Sequence, residues 1–298
     1  MNENRVLITG GTGLLGKALI EAGERTGDIL ATYVGDYDLP DRTGVKYSKM
    51  DIRDTEGFAA LFQDFKPDAV VHTASIGSPD FAEKNKALTY EINVRGTAQI
   101  AALCLKHNAK MIYISSNGIY DGEEAPYAED HTPRPINYYG QTKLDGEKEA
   151  LKVEAKTAIV RPILMYGWPT EHERGNIVTL AIEKLSKGEK MAVYEDVFSN
   201  ALYSVHCAEV IWRIIREGKY ETFNIGGGER TSIYGLIVAA AKVFGLDEKL
   251  VEPVRQGYFN ELVPRPRDTS YDTTKMERVL GIEPLNLKAG LQQMKEDQ

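Results

Sequence analysis

Tyr139 and Lys143 are the residues whose types and spacing most directly indicate chemistry. They stand four residues apart in a stretch, 137–153, that is predicted to form a helix, so both side chains project from one face of it. An ammonium beside a phenol stabilises the phenolate and lowers the phenol pKa from about 10. A phenol tuned in this way can exchange a proton with an alcohol or a ketone near neutral pH. The pair therefore predicts an acid/base, Tyr139, that is tuned by Lys143.

The same spacing recurs at Tyr271 and Lys275, so spacing alone does not select the pair. Tyr139 is favoured because its helix follows a predicted strand that ends in two hydroxyl side chains, Ser115 and Ser116. We predict that Ser116 hydrogen-bonds a substrate carbonyl and stabilises the charge that develops on its oxygen. The alternative is that the two serines only cap the end of the strand.

A glycine-rich turn near the amino terminus predicts a site for a pyrophosphate. The apolar strand 5–9 runs directly into this turn, and a helix begins near Leu14. Gly10 permits a sharp exit from the strand, Gly13 lets the backbone approach the phosphates, and Gly16 lets the helix lie close to the sheet. The free N–H groups and the dipole of the helix then face the anion. The alternative is a purely structural turn. The predicted dinucleotide contacts are Gly10, Thr12, Gly13, Leu14, Leu15 and Gly16.

Strand-like and helix-like stretches alternate through the first half of the chain. The predicted strands are 5–9, 29–34, 45–49, 69–72, 110–115 and 157–161, and the predicted helices are 55–65, 84–107 and 137–153. This alternation predicts an α/β fold, a Rossmann-type doubly wound parallel sheet. The dinucleotide-binding domain is predicted at 1–162, and 196–221 returns to it through a strand at 201–205. Segments 163–195 and 222–298 are predicted to form a smaller C-terminal α/β lobe that holds the substrate.

The composition argues against several classes of protein. The net charge of −8 argues against nucleic-acid binding, because a phosphate backbone requires a basic surface. No stretch approaches about 18 continuous apolar residues, so we expect no membrane span. The two cysteines, Cys104 and Cys207, provide neither a disulfide framework nor a metal site and suit a reducing compartment. The first predicted strand begins close to Met1 and leaves no room for a signal peptide, so we expect a cytoplasmic protein.

Several motifs together resemble the extended short-chain dehydrogenase/reductase family. They are residues 9–16, the pair Ser115-Ser116, Tyr139 with Lys143, and residues 161–167. Within that family, residues 114–122, residues 139–147, and Arg265-Pro266-Arg267-Asp268 followed by residues 273–280 resemble the dTDP-4-dehydrorhamnose reductase branch. That branch also includes the regulatory β subunit of methionine adenosyltransferase. The resemblance covers nearly the whole chain and implies an NAD(P)-dependent reductase of a 4-keto-6-deoxy nucleotide sugar.

The resemblance also implies roles for individual residues. Ser116 would hydrogen-bond the substrate oxygen, Tyr139 would be the acid/base, and Lys143 would also hold the nicotinamide ribose. The further residues implied in cofactor binding are Asp36, Asp51, Ile52, Ala74, Asn93, Ser115 and Pro162. The residues implied in substrate binding are Asn117, Asn176 and Arg267, and a guanidinium such as that of Arg265 or Arg267 suits a nucleotide diphosphate. No metal is expected, and a homodimer is the expected assembly if the chain has a partner.

Some alternatives stay open at this point. Asn117-Gly118 stands where related sugar-nucleotide dehydratases resemble one another in an Asp-Glu pair, which argues against elimination of water but leaves a 4-epimerase open. Asp36 and Asp38 follow the second predicted strand with no arginine before Arg42, which favours NAD over NADP. Asn93 could instead bond backbone, and Asp51 could instead lie in a simple turn. A non-catalytic NAD(P)-binding regulatory subunit is the further alternative, because the β subunit retains most of these motifs.

Overall fold

The computed structural model describes residues 5–23, 27–171, 173 and 175–298. The strands are β1 Arg5–Thr9, β2 Asp28–Tyr33, β3 Val45–Lys49, β4 Ala69–His72, β5 Lys110–Ile114, β6 Thr157–Pro162, β7 Met165–Tyr166, β8 Met191–Tyr194, β9 Phe198–Ser199, β10 Leu202–Tyr203, β11 Thr222–Ile225, β12 Thr231–Ser232 and β13 Val251–Val254. The α-helices are α1 Leu14–Gly23, α2 Thr55–Phe65, α3 Pro79–Lys84, α4 Lys86–Tyr90, α5 Thr97–His107, α6 Tyr138–Ala150, α7 Ile177–Ser186, α8 Ser204–Glu217, α9 Ile233–Phe244, α10 Thr274–Leu280 and α11 Leu287–Glu296.

Seven strands form one parallel sheet in the order β11-β6-β5-β4-β1-β2-β3. Along the chain, the strands from β1 onward alternate with helices, and these helices cover both faces of the sheet. Both faces are covered because successive side chains of a strand point to opposite sides and must be buried on each. On β1, Ile8 packs in the same core as the α8 side chains, whereas Leu7 packs with Phe58 and Phe62 of α2 on the other face. The predicted Rossmann-type α/β fold is therefore confirmed.

The chain order reverses between β1 and β4, which are neighbours in the sheet although β2 and β3 separate them in sequence. At such a switch point the loops after the two strands lead away from each other and leave a crevice at the carboxyl edge. Thr9 and His72, the last residues of the two strands, lie opposite each other in the pairing register. This crevice is where the glycine-rich turn begins.

A smaller lobe is built from short strand pairs and three helices. The pairs are β7 with β10, β8 with β13 and β9 with β12, and helices α7, α9 and α11 pack beside them around a separate apolar core. Leu236, Leu291 and Met294 are among the buried side chains of that core. The lobe thus buries its own apolar surface beside the large sheet.

The return of the chain to the large sheet differs from the prediction. Residues 201–205 do not join it, because Leu202–Tyr203 pairs with Met165–Tyr166 instead. The returning strand is Thr222–Ile225, which pairs with β6 and was assigned by sequence to the substrate lobe. Helix α10 also belongs to this side, since Met276 and Leu280 are buried in the core of the large sheet. Strands as short as β10, with two residues, and β11, with four, carry no local sign of their partner, so only the pairing distinguishes them.

The predicted helix 84–107 is helical from Lys86 to His107, but it is not α-helical throughout. Between α4 and α5 the backbone forms a π-helical segment, Glu91–Gly96. Such segments insert an extra residue into a helix and turn its side chains relative to the neighbouring turns. Here the segment contains Asn93, which is 1 % exposed and faces the crevice loops.

The described residues contain no helix long and apolar enough to cross a membrane. In the same part of the chain, no group of three or more His, Cys, Asp or Glu side chains could hold a metal ion. Cys104 and Cys207 are both buried and unpaired with each other, and burial raises the pKa of each thiol. A raised pKa keeps both as unreactive thiols, in line with a packing role.

Candidate active site

The glycine-rich turn has the geometry that a bound phosphate requires. Gly10 has φ +71°, a left-handed conformation that favours glycine, and the N–H of Gly13 donates to the Gly10 carbonyl at 3.1 Å. A Cβ on Gly16 would overlap the same carbonyl oxygen, so only glycine lets α1 begin this close to the strand. Leu15 is 5 % exposed and packs in the core, so its side chain cannot make the predicted cofactor contact and only its backbone can.

The loop after β4 locks the turn in place. Thr73 Oγ1 donates to the carbonyl of Thr9 at 2.5 Å, and the N–H of Ala74 donates to Thr9 Oγ1 at 3.2 Å. Thr9 Oγ1 also lies 2.7 Å from Nδ1 of His72, whose pKa burial lowers to about 3. A Cβ on Gly10 would lie 2.7 Å from Thr73 Oγ1 and 3.0 Å from the Ala74 backbone, so the loop after β4 runs directly beside the turn.

Asn93 bridges the loop after β4 to helix α6. Its Oδ1 accepts from the N–H of Ile76 at 2.7 Å, and its Nδ2 donates to the Ile76 carbonyl and to Thr142 Oγ1, each at 3.1 Å. The alternative stated from sequence, a buried polar side chain that bonds backbone, describes these contacts. The amide protons of Asn93 are both used in this way, so its contribution to the site is to position Ile76 and Thr142.

Ser116 and Tyr139 are brought together at the carboxyl edge of the sheet. Helix α6 begins directly before Tyr139 because the side chain of Asn137 caps it, accepting from the N–H of Gly140 at 2.9 Å. The Tyr139 ring lies against Gly118, where a Cβ would meet the ring at 3.1 Å. Ser116 Oγ accepts from the N–H of Gly118 at 3.0 Å, donates to Asn117 Oδ1 at 3.4 Å, and lies on the same side of Gly118 as the Tyr139 ring.

The pKa of Tyr139 is raised, not lowered as predicted. Burial of the phenol is the largest cause of the raised pKa, and the neighbouring Ser116 hydroxyl opposes it. Lys143 does not offset the burial; its Nζ donates to the Ile114 carbonyl at 2.6 Å, at the end of β5. Lys143 is 2 % exposed, and burial lowers its pKa to about 7. The i,i+4 spacing was therefore right about the shared helix face and wrong about the sign of the Tyr139 shift.

Ser115 belongs to a buried ion-pair network that the sequence did not reveal. Its Oγ donates to Glu147 Oε1 at 2.5 Å, and Arg161 donates to both carboxylate oxygens of Glu147 at 2.9 and 2.8 Å. Arg161 Nη1 also donates to the Tyr120 hydroxyl at 2.8 Å. The Ser115 hydroxyl therefore points into the core, and its predicted cofactor contact falls to its backbone. Pro162, the next residue after Arg161, ends β6 and is buried.

The acids predicted to lie near the adenosine are both paired. Asp36 lies 2.5 Å from Lys49 Nζ, and Asp51 accepts three bonds from Arg53, two of 2.9 Å from its backbone N–H and Nε and one of 2.5 Å from Nη2. Each cation lowers the pKa of its acid, so both are carboxylates at neutral pH. Ile52 is 5 % exposed and packs in the core, which leaves its backbone as the part that can meet a ligand. The cation beside Asp36 was not anticipated.

The predicted substrate residues occupy different settings. Asn117 Nδ2 donates to Thr269 Oγ1 at 2.7 Å and so ties the end of β5 to the C-terminal segment. Asn176 caps α7 and its Nδ2 donates to the Gly167 carbonyl at 2.7 Å, contacts that account for its position without a ligand. A substrate contact by Asn176 stays a prediction.

The two arginines of the C-terminal motif also differ. The side chain of Arg267 is 64 % exposed and its Nε donates to the Asp196 carbonyl at 3.3 Å. The side chain of Arg265 is 24 % exposed and pairs with Asp80 at 2.7 Å. Its Nη1 is buried and has no hydrogen-bond partner among the described residues. Arg265 is therefore the arginine with a donor still to satisfy inside the fold.

Comparison with known proteins places this geometry in context. The family model described as RmlD substrate binding domain matches residues 4–298. The methionine adenosyltransferase 2 subunit beta of Xenopus laevis is 30% identical over 284 residues, which cover 93% of this chain and 83% of that protein. The dTDP-4-dehydrorhamnose reductase of Aggregatibacter actinomycetemcomitans is 26% identical over 98% of both chains. The crystal structure of dTDP-4-dehydrorhamnose reductase from Bacillus anthracis in complex with NADP superimposes with a TM-score of 0.86 at 25% identity, over 99% of this chain and 100% of that one.

Proposed function

Because this chain belongs to the RmlD substrate binding domain family, we propose that it is an NAD(P)-dependent reductase of a 4-keto-6-deoxy nucleotide sugar. The resemblance to the dTDP-4-dehydrorhamnose reductase branch is confirmed by the family model and by the relatives. The observation that carries the proposal is the placement of the half-buried Tyr139 ring and Ser116 Oγ on the same side of Gly118, at 3.1 and 3.4 Å from where its Cβ would lie, with Lys143 one helical turn farther on. This set lies at the same sheet edge as the glycine-rich turn.

The residues of the turn fit a dinucleotide. A Cβ on Gly13 would meet the Gly10 carbonyl at 3.4 Å and the carboxylate of the exposed Glu173 at 3.8 Å, so a pyrophosphate can approach the backbone there once the Glu173 side chain turns away. The first turn of α1 contains no acidic residue that would repel an anion. Its N–H groups would hold the pyrophosphate through the helix dipole, and Ala74 would leave room for the cofactor beside Gly10. Nicotinamide dinucleotides supply a hydride when bound.

The raised pKa of Tyr139 suits the reduction direction. A phenol with a pKa above its usual value is protonated at neutral pH, so Tyr139 can donate its proton to the alkoxide that forms from the ketone. Ser116 Oγ accepts from the N–H of Gly118 and donates only a long bond of 3.4 Å to Asn117 Oδ1, which a substrate oxygen would replace as the acceptor. Lys143 then supplies the nearest positive charge to the phenolate that results.

The direct test compares Tyr139→Phe with Tyr138→Phe. Tyr138 adjoins Tyr139 on α6 but its hydroxyl donates to the Lys86 carbonyl at 3.2 Å, away from Ser116. With dTDP-4-keto-6-deoxy sugars and NADH or NADPH, we expect Tyr139→Phe to lower kcat by about 10²- to 10⁴-fold. Tyr138→Phe should stay near the wild-type rate. Full activity in Tyr139→Phe would exclude the proposed acid.

We further propose that NAD is the preferred cofactor, because the Asp36 carboxylate follows β2 where a ribose diol would bind. Lys49 weakens this preference, since its ammonium lies against Asp36 and could equally meet a 2′-phosphate. The measurement is kcat/KM for NADH and for NADPH, in the wild type and in Asp36→Ala. We expect the variant to move the ratio toward NADPH by about tenfold, equivalent to ~1.4 kcal/mol. An unchanged ratio would remove Asp36 from the cofactor site.

A 4-epimerase would use the same serine, tyrosine and lysine and stays the alternative enzyme. The two enzymes differ in cofactor stoichiometry, because an epimerase forms product without net consumption of the reduced cofactor. Elimination of water is disfavoured, because Asn117 and Gly118 offer no carboxylate next to Ser116. Following NADH absorbance and product together in one reaction therefore separates reductase from epimerase.

The second candidate function is that of a non-catalytic regulatory subunit. It is favoured by the 30% identity to a methionine adenosyltransferase 2 subunit beta across 93% of this chain. Such a protein would bind a dinucleotide and a synthetase without oxidising the cofactor. Co-purification with a synthetase, combined with no turnover of any keto sugar, would favour it. A homodimer and a cytoplasmic location stay predictions under either function.

A further inference from the structure

We propose that Glu147 is a positioning residue of the reduction, acting on Ser116 through Ser115 and on Lys143 as its counter-charge. The proposal deepens the function proposed above and rests on it. Glu147 touches neither Ser116 nor any reacting atom directly, so it acts only through its neighbours. Its carboxylate is 4 % exposed, and it is placed by three protein donors.

The position of Glu147 on α6 is the first argument. Tyr139, Lys143 and Glu147 follow each other at four-residue steps, so their side chains form one row along the buried face of the helix. The bidentate pair with Arg161 fixes the far end of that row to β6. Because both ions are nearly inaccessible to water, the geometry of the pair is held without competition from solvent.

The bond to Ser115 is the second argument. Successive side chains in extended backbone point in opposite directions, so a Ser115 hydroxyl held toward the core turns Ser116 toward the crevice. The Ser115 Oγ to Glu147 distance of 2.5 Å is typical of a charge-assisted bond. Glu147 therefore sets the direction in which the Ser116 hydroxyl presents itself to Tyr139. A displacement of even 1 Å at such a site costs rate.

The electrostatic surroundings of Lys143 are the third argument. The charged and titratable groups that face it are Glu147 and Tyr139 on its own helix, Tyr113 on β5 with its ring 4.6 Å from Nζ, and His72 on β4. Tyr113 and His72 are buried neutral groups whose pKa values lie well above and well below neutrality. Glu147 is thus the group that opposes burial and keeps the pKa of Lys143 from falling further.

The experiment separates this role from simple stabilisation. Glu147→Gln alone leaves the buried Arg161 guanidinium unpaired and will lower the melting temperature. The double variant Glu147→Gln with Arg161→Met removes both ions and should recover most of that loss. In both variants we expect the alkaline limb of the kcat/KM profile to move to lower pH by about 1 unit, because Lys143 loses its counter-charge. Asp145→Asn is the matched control, since Asp145 lies on the same helix but is paired at the surface with Lys148.

A readout without turnover distinguishes failure of this proposal from failure of the proposed function. Titration of ¹³Cε-labelled lysine by NMR, assigned with Lys143→Met, reports the Lys143 pKa directly in the full chain. A pKa lowered in the double variant, with Asp145→Asn unchanged, supports the proposal even if no keto sugar is reduced. An unchanged Lys143 pKa, or a pH profile restored together with the melting temperature in the double variant, would overturn it.

Discussion

The chain contains two tyrosine–lysine pairs of identical spacing, and the fold treats them in opposite ways. Tyr139 and Lys143 both lie within α6, whereas Tyr271 precedes α10 and only Lys275 is inside that helix. Lys143 Nζ donates to the Ile114 carbonyl at the edge of the sheet, whereas Lys275 donates to the Thr222 carbonyl and pairs with Glu221 at 3.0 Å. The first pair faces the crevice, whereas the second pair lies at the edge of the large sheet that β11 forms.

The hydroxyl groups of Tyr139 and Tyr271 also lie in different surroundings. Tyr271 is buried and Tyr139 is half-buried, and burial raises the pKa of each phenol. Tyr139 lies beside the Ser116 hydroxyl, whereas the Tyr271 hydroxyl has no hydrogen-bond partner among the described residues and its ring packs edge-on against Tyr120. The difference shows that a partner hydroxyl at the sheet edge, more than the spacing to a lysine, distinguishes a chemical tyrosine from a packing one.

Replacing each lysine with methionine should give the largest difference in kcat between the two pairs. Lys143→Met removes the charge nearest the phenolate and the contact at the end of β5, so we expect kcat to fall by about 10²-fold or more. Lys275→Met removes a half-exposed ion pair and should change kcat by less than about twofold. Steady-state rates with saturating NADH and keto sugar are the measurement. Equal losses of kcat in the two variants would contradict the inference that only the first pair serves the reaction.

The pH dependence of stability gives an intermediate effect that follows from the Lys143 pKa of about 7. Between pH 7 and about 10.4, the unfolded chain binds a proton at this residue that the folded chain does not. The free energy of unfolding should therefore rise with pH across this window, by up to ~1.36 kcal/mol per unit, and the cost of the buried charge should be complete below it. Urea denaturation at pH 7.5 and 9.5 should show this rise in the wild type and not in Lys143→Met. Lys275→Met should keep the wild-type slope.

Tyr271→Phe should have the smallest effect. The change removes a buried hydroxyl that has no partner in the described part of the chain. We therefore expect the melting temperature to stay the same or to rise, and the free energy of unfolding to increase by at most ~1–3 kcal/mol. The rate of ketone reduction should stay at the wild-type value, in contrast to Tyr139→Phe. A loss of rate in Tyr271→Phe would mean that the second pair also serves the site.

Much of the fold could be predicted because it depends on local pattern. The strands Val45–Lys49 and Ala69–His72 and the helix Thr55–Phe65 begin and end where the alternation of apolar and turn residues placed them. The order of the sheet was not predictable in the same way. Pairing between β6 and Thr222–Ile225 depends on contacts about 60 residues apart in sequence, and short strands give no local sign of their partner.

The residues of the candidate site could be named from the sequence, but their burial, their ion pairs and the direction of their pKa shifts could not. Ser116, Tyr139 and Lys143 could be named because hydroxyl, phenol and ammonium were placed by strand end and helix face. The network of Ser115, Glu147 and Arg161 had no sequence signal of its own, since an acid and an arginine distant in the chain look like surface residues until a fold buries them. The sign of the Tyr139 shift failed for a related reason, because burial cannot be read from spacing.

The late strand β11 has a consequence for how the protein is made. During synthesis the outer edge of β6 cannot be paired until residue 225 has emerged, although all the other strands of the large sheet are complete by residue 162. A nascent chain therefore carries an open, apolar edge for as long as some sixty further residues take to be added. Ending the polypeptide before Thr222 should yield aggregates instead of an isolated amino-terminal domain.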